Sequence, residues 1–224
     1  MEKFPFDAFL LCNGEPPSKK LCTHLLHDSR LFIAADGGAN AARAMGLRPD
    51  VIIGDFDSIS SATKTFFNTA LILHVGRQDN TDMEKALDFC VDQHLSRVIV
   101  AGVTGGRIDM TLGNMSALWK YVGRLDLVVC GDGWVGFPVV GLARIAVRPG
   151  ATVSLIPFGE IRGVSLKGLK YSLNGATLKP GDVAVSNTAT GHGFSVDVAR
   201  GKVLVIVFDE RATRMGVRRK AGRQ

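Results

Sequence analysis

The stretch Val51-Ile52-Ile53-Gly54-Asp55-Phe56-Asp57-Ser58 decides how the rest of the chain is read. Three branched apolar residues in a row read as a buried strand. Gly54 ends the run, and two carboxylates follow at alternate positions. In an extended segment side chains alternate, so Asp55 and Asp57 are expected to lean to one side while Phe56 turns inward. Like charges held together repel unless something positive sits between them. The carboxyl end of a parallel strand is where open α/β sheets take ligands, so two acids there suit Mg²⁺ and phosphate. The plainer reading is a polar turn in which Asp55 or Ser58 caps the next helix.

The neighbouring segments repeat the pattern. Upstream, Ala8–Cys12 reads as a strand closed by Asn13-Gly14, and Ser18–His27 as a helix with Leu21, Leu25 and Leu26 inward. Leu31–Ala35 is a second strand that runs into Asp36-Gly37-Gly38-Ala39-Asn40. The alanine-rich helix Asn40–Met45 follows, small enough for close approach to a neighbour or ligand, and free amides at such a helix start favour an anion. Downstream, helix Ser60–Thr69 and strand Ala70–Val75 lead to Arg77-Gln78-Asp79-Asn80-Thr81-Asp82-Met83-Glu84 and a helix running to Gln93. Thr81 and Glu84 have capping-box spacing; Asp79 and Asp82 exceed what a cap requires. Strand Arg97–Ala101 ends in Gly102-Val103-Thr104-Gly105-Gly106-Arg107-Ile108-Asp109, where Asp109 reads either as an N-cap or, with Arg107, as part of a phosphate grip. Helix Met110–Val122, with Leu112, Met115 and Trp119 as its apolar stripe, and strand Leu125–Cys130 close the series.

Strand, turn and helix thus alternate from 7 to 130, the signature of a parallel sheet flanked by helices. Four consecutive strand ends carry acids: Asp36, Asp55 with Asp57, Asp79 with Asp82, and Asp109. Each has a local explanation, but their shared rim, interleaved with glycine, points to a metal–phosphate site. Neither a Gly-x-x-x-x-Gly-Lys-Ser/Thr loop nor a Gly-x-Gly-x-x-Gly fingerprint opening a helix accompanies them.

Past 130 the texture changes. Short β-prone runs alternate with turn signals such as Asn174-Gly175, Lys179-Pro180-Gly181-Asp182 and Arg200-Gly201, which predicts a β-sandwich. The expected organisation is therefore an α/β domain over 1–132, a β-sandwich over 133–210 and a basic tail over 211–224. The tail holds six basic residues and no acid; without them 21 basic residues balance 21 acids, so the net charge of +6 belongs to the tail. Such a tail is expected to be a solvated, disordered end rather than a nucleic-acid contact. Four cysteines without a Cys-x-x-Cys pair read as buried free thiols of a reducing compartment. With no signal peptide and no membrane-length apolar run, a cytoplasmic protein is expected, binding neither membrane nor nucleic acid.

Six stretches taken in order resemble the thiamine pyrophosphokinase family: Ala35–Asn40, Gly54–Ile59, Gln78–Asp82, Gly105–Asp109, Gly168-Leu169-Lys170-Tyr171 and Ser186-Asn187-Thr188. The resemblance implies an ATP-binding α/β domain and a thiamine-binding β-sandwich. It further implies a homodimer with active sites between the α/β domain of one subunit and the β domain of the other. It implies transfer of a pyrophosphoryl group from ATP to the hydroxyethyl oxygen of thiamine, with AMP released. By the same resemblance Asp55, Asp57 and Asp82 look like Mg²⁺ ligands, and Gln78, Asp79, Thr81 and Arg107 like ATP contacts. Asp36, Asn40 and Asp109 look like the lining where ATP meets thiamine, and Ser186 and Asn187 like contacts to the aminopyrimidine. Many bacterial relatives follow Ser-Asn with an acid; here Thr188 and Ala189 follow. The other readings are a pyrophosphoryl transferase acting on another heterocyclic alcohol, and a non-catalytic nucleotide or thiamine sensor.

Overall fold

The computed structural model describes residues 5–182 and 184–209 and the backbone of 217–219. The chain divides into two compact units, Met1–Asp132 and Gly133–Gln224.

In the first unit the apolar runs become strands β1 (Phe6–Leu11), β2 (Ser29–Ala35), β3 (Val51–Gly54), β4 (Leu71–His74), β5 (Arg97–Ala101) and β6 (Asp126–Gly131). Among the described residues they pair in parallel in the order β4-β3-β2-β1-β5-β6. Helices α1 (Lys19–His27), α2 (Gly38–Met45), α3 (Ser61–Phe66), α4 (Asp82–Asp92) and α5 (Ile108–Ala117) connect them, with a 3₁₀ turn at Leu118–Lys120. From β1 the chain builds outward through β2, β3 and β4. It then returns to place β5 on the other side of β1, so the topological switch lies between β1 and β5. At a switch the following loops diverge to opposite faces and leave a crevice at the strands' carboxyl ends. The core is apolar on both faces of the central strands. Phe9 and Phe32, register partners on β1 and β2, stack with ring centroids 4.9 Å apart, and both are fully buried.

Local chemistry explains the helix starts. Ser18 caps α1 and Ser60 caps α3. Thr81 and Glu84 form the expected capping box on α4. Three local readings do not hold here. Neither Asp55 nor Ser58 caps α3, since Ser60 does so. Nor is Asp109 an N-cap: it lies inside α5, which starts after Arg107 without a side-chain cap. The apolar stripe expected on α5 is also not its inner face. Leu112 is 62% exposed, while Asn114 and Ala117 are buried.

The second unit contains β7 (Trp134–Ala146), β8 (Thr152–Pro157), β9 (Ile161–Lys167), β10 (Leu173–Leu178), β11 (Asn187–Thr188), β12 (Gly193–Phe208) and β13 (Val217–Arg219). It is a β-sandwich built on two long strands. β7 and β12 pair antiparallel along most of their length. The first half of β12 also pairs with β9, and the second half with β8. The change of partner falls at a register shift between Val198 and Val203, around Gly201 with φ +110°. Arg200-Gly201 is therefore a bulge that sends one strand into two layers, not the turn its composition predicted. Asn174-Gly175 likewise lies within β10, where the register against β9 shifts. Gly131-Asp132-Gly133-Trp134-Val135-Gly136 has Gly-x-Gly-x-x-Gly spacing but leads from β6 into strand β7, so no helix start stands behind it. Of the basic tail, Val217–Arg219 pair with Ile145–Ala143 of β7 where a structureless end was expected. Residues 210–216 and 220–224 lie outside the described residues.

Candidate active site

The site is assembled at the carboxyl ends of β2 and β3. The amide of Asp36 bonds the Ile53 carbonyl and carries the ladder one residue past β2. Its φ of +42° then turns the chain into α2. This places the Asp36 side chain, fully buried, beside Gly54. A Cβ added at Gly54 would lie 2.7 Å from Asp36 Cβ and 3.2 Å from Asp82 Oδ1. Gly54 is thus glycine because two carboxylate-bearing residues approach the end of β3 at that point.

The loop after Gly54 is not an extended strand, so the expected alternation of Asp55, Phe56 and Asp57 does not hold. Phe56 takes φ +65° and lies half-buried against His74 and Lys64. The loop is held from α2 and its preceding turn. Ser58 N–H donates to Asp36 Oδ2 at 3.0 Å, Asn40 Nδ2 donates to Ser58 O at 2.9 Å, and Ser60 N–H donates to Asn40 Oδ1 at 3.1 Å. Asn40 therefore clamps the loop from two sides.

Oxygen atoms of Asp36, Asp55 and Asp57 lie within 4.8 Å of one another. Asp36 Oδ1 is buried with no hydrogen-bond partner. Burial, together with the charges of Asp82 and Asp57, pushes the Asp36 carboxyl above the usual range, against the bond from Ser58. Asp82 reaches the group by another route. The Lys85 ammonium lies 2.9 Å from Asp82 Oδ1 and 3.0 Å from Asp55 Oδ2, and its side chain is 1% exposed. Gln78 Nε2 donates to the same Asp55 oxygen at 3.2 Å. The Lys85 bond holds the Asp55 carboxyl below its usual range. Burial opposes the charge on Lys85, yet the bonds to Asp82 and Asp55 raise its proton affinity.

Next to the acids a cavity of about 650 Å³ opens at the β1/β5 switch, lined by Asn13, Glu15, Asp57, Asp82, Arg107 and Asn114 among others. Its far wall is made of the loops after β1 and β5. Cys12, Gly14 and Glu15 N–H donate to the carbonyls of Ala101, Gly102 and Thr104, extending the parallel ladder beyond the strands. Side chains cannot enter there: a Cβ at Gly14 would lie 2.4 Å from the Gly102 carbonyl oxygen.

The structure thus brings Asp36, Asp55, Asp57, Asp82, Gln78 and Asn40 together, with Thr81 and Arg107 on the cavity wall. It does not bring in Asp79, whose side chain is 78% exposed and faces Arg77. Asp109 is paired with Arg107, Nε to Oδ1 at 3.1 Å, and is exposed. In the second unit Ser186 is exposed with φ +59°. Asn187 is buried and bonded: Oδ1 accepts from Tyr171 N–H at 3.0 Å, and Nδ2 donates to Tyr171 O at 2.7 Å. Sequence reasoning missed Lys85, Asn13 and Glu15. Lys85 carried a usable signal, since it stands three residues after Asp82 on a helix and so shares its face.

Two family models match: "Thiamin pyrophosphokinase, catalytic domain" over residues 22–129 and "Thiamin pyrophosphokinase, vitamin B1 binding domain" over 144–203. A thiamine pyrophosphokinase of Bacillus subtilis is 30% identical over 184 residues, covering 79% of this chain and 86% of the relative. A thiamin pyrophosphokinase of Caenorhabditis elegans is 28% identical over 195 residues, covering 80% and 79%. The fold matches the solved Bacillus subtilis thiamine pyrophosphokinase with a TM-score of 0.79 at 24% identity, over 91% of this chain and 99% of that one. It matches the Candida albicans enzyme with a TM-score of 0.80 at 19% identity, over 90% and 88%. With both halves matched in order and a 30% identical relative aligned across most of its length, the chain belongs to the thiamine pyrophosphokinase family.

Proposed function

We infer that this chain is a thiamine pyrophosphokinase, which moves the pyrophosphoryl group of ATP to the hydroxyethyl oxygen of thiamine and releases AMP. Family membership supports the reaction. One observation ties it to particular residues: the buried, unpartnered Asp36 Oδ1 in a carboxylate trio with Asp55 and Asp57.

That trio fits Mg²⁺, a hard cation that takes carboxylate oxygens. Asp36, Asp55 and Asp57 would hold it, with Asp82 close by at Gly54. A divalent cation there supplies neutralisation of charge on the phosphate oxygens. The side chains do the rest by positioning, which is most of what phosphoryl chemistry needs, and no enzyme nucleophile is required. Arg107 lies on the cavity wall with its Nε and Nη2 edge held by Asp109, which orients the guanidinium and leaves its remaining donors for phosphate oxygens. Gln78 fixes the Asp55 carboxylate. Asp79 contributes at most a remote charge. Asp109 is a poor proton acceptor, because the Arg107 bond holds its carboxyl below the usual range. For thiamine, Ser186 offers an exposed hydroxyl, while Asn187 acts by shaping the Tyr171 loop through its two bonds.

A homodimer is supported by apolar side chains left exposed in each unit: Ile108 at 71% and Leu112 at 62% in the first, Tyr171 at 63% in the second. Four buried free thiols favour a reducing compartment such as the cytoplasm. Among the described residues no helix is long and apolar enough to cross a membrane.

The test is incubation with ATP, Mg²⁺ and thiamine, followed by chromatography of the products. Equimolar AMP and thiamine diphosphate are expected. ADP with thiamine monophosphate, or turnover of pterin or pyrimidine alcohols in preference to thiamine, would overturn the assignment.

A further inference from the structure

We propose that Lys85 is a positioning residue of this site: a built-in counter-cation that locks Asp55 to Asp82 from the buried side before any divalent ion arrives. The proposal rests on the metal–phosphate reading above and assigns a role that the acids alone do not provide.

Three observations carry it. First, the lysine is not there for its helix. It lies in the first turn of α4, where a positive charge opposes the helix dipole, and that turn is already satisfied by the Thr81–Glu84 capping box. Second, its two partners come from different elements. Asp55 follows β3 and Asp82 opens α4, so the ammonium is a cross-link between two strand ends of the rim. Third, Lys85 is buried and is not among the cavity-lining residues. It therefore acts on Asp55 and Asp82 rather than on a substrate.

The bonds also choose which oxygens remain for a ligand. Asp55 Oδ2 is taken by Lys85 and Gln78, which leaves Oδ1 with one long contact of 3.4 Å from Asp57 N–H. Asp82 Oδ1 is taken by Lys85, which leaves Oδ2. One oxygen of each carboxylate is fixed, so the other is oriented. A positive charge beneath a cation site must also weaken its hold on a dication. The lysine thus exchanges metal affinity for geometry: the acids keep their places when the site is empty, and the ion is held less tightly.

The test compares full-length wild type with Lys85→Met by thermal unfolding with EDTA or with Mg²⁺ alone, by Mg²⁺ titration calorimetry, and by steady-state kinetics. In EDTA, Lys85→Met is expected to melt below wild type, because removing one partner leaves two uncompensated carboxylates. Mg²⁺ alone is expected to bind Lys85→Met more tightly, by a factor on the order of ten, and to raise its Tm more than it raises that of wild type. Loss of orientation is expected to lower kcat by about 10- to 100-fold with KM for thiamine little changed. Should Lys85→Met fold poorly, Lys85→Met/Asp82→Asn leaves one uncompensated carboxylate instead of two and recovers part of the stability in EDTA but not kcat. Equal Mg²⁺ affinity and equal Tm shifts in the two proteins would overturn the role of Lys85 alone. No Mg²⁺ response in either protein would overturn the metal reading and this proposal with it.

Discussion

Asp36→Asn should make the protein more stable and abolish its activity. The carboxylate is fully buried, and its nearest acidic neighbours offer oxygens within 4.8 Å. One unit-charge pair at that distance repels by about 3 kcal/mol at an effective dielectric of about 20. Asp55 and Asp82 share the single charge of Lys85, and Asp57 is exposed and partly screened, so about 2 kcal/mol is relieved when Asp36 loses its charge. Against this, the Ser58 N–H bond loses its charge assistance, about 1 kcal/mol. Asparagine is nearly isosteric and tolerates the φ of +42° as aspartate does. The net gain is about 1 kcal/mol, or about 2–4 °C in Tm for a chain of this size. Melting in EDTA at pH 7 measures it. The pH dependence follows from the sign of the shift. The Asp36 pKa is raised in the native state, so its contribution improves as pH falls from neutral through the native value and levels off below the unfolded value of about 3.9. The advantage of Asp36→Asn should therefore shrink on acidification. With Mg²⁺ near 100 times its Kd, wild type gains about 2.7 kcal/mol, the variant gains less, and the order of the two inverts. A variant less stable than wild type in EDTA, or one that Mg²⁺ stabilises as strongly, would refute the placement of Asp36 among like charges at a cation site.

Other substitutions probe neighbouring parts of the site. Gly54→Ala forces a Cβ to within 2.7 Å of Asp36 Cβ; overpacking of this kind costs about 1–3 kcal/mol, and both Tm and Mg²⁺ affinity by calorimetry should fall. Asp57→Ala removes an exposed trio member and should leave Tm within about 1 °C while AMP production disappears; surviving wild-type turnover would take Asp57 out of the site. Asn187→Leu strands the Tyr171 backbone groups that Asn187 now satisfies. It should cost about 2–3 kcal/mol in urea unfolding and raise KM for thiamine, and an unchanged Cm would show that the loop does not depend on this amide.

The alternation of apolar runs with glycine-punctuated turns, and its replacement by short β-prone runs after 130, was enough to read two architectures in one chain. Apolar periodicity and turn chemistry are local properties, and they act through the same few residues in any context. The acidic strand ends were legible for that reason too, since each follows its own apolar run. Local reading failed where two positions looked alike on paper. Arg200-Gly201 has the composition of a hairpin turn, but it is a bulge because β12 finds partners in both layers. Asp79 and Asp82 stand three residues apart, yet one faces solvent and the other is tied to Asp55.

Residue types and their order alone determined the strand-and-helix plan, the set of acids from which a cation site can be drawn, and the family resemblance. The tertiary structure alone decided which of those acids meet. Asp36 joins Asp55 and Asp57 because β2 pairs with β3 and glycine at 54 leaves room. Asp82 is bound to Asp55 through a lysine that a linear reading passes over. The distance between two charged groups brought together by sheet pairing is a long-range quantity, and it does not exist until the chain has folded.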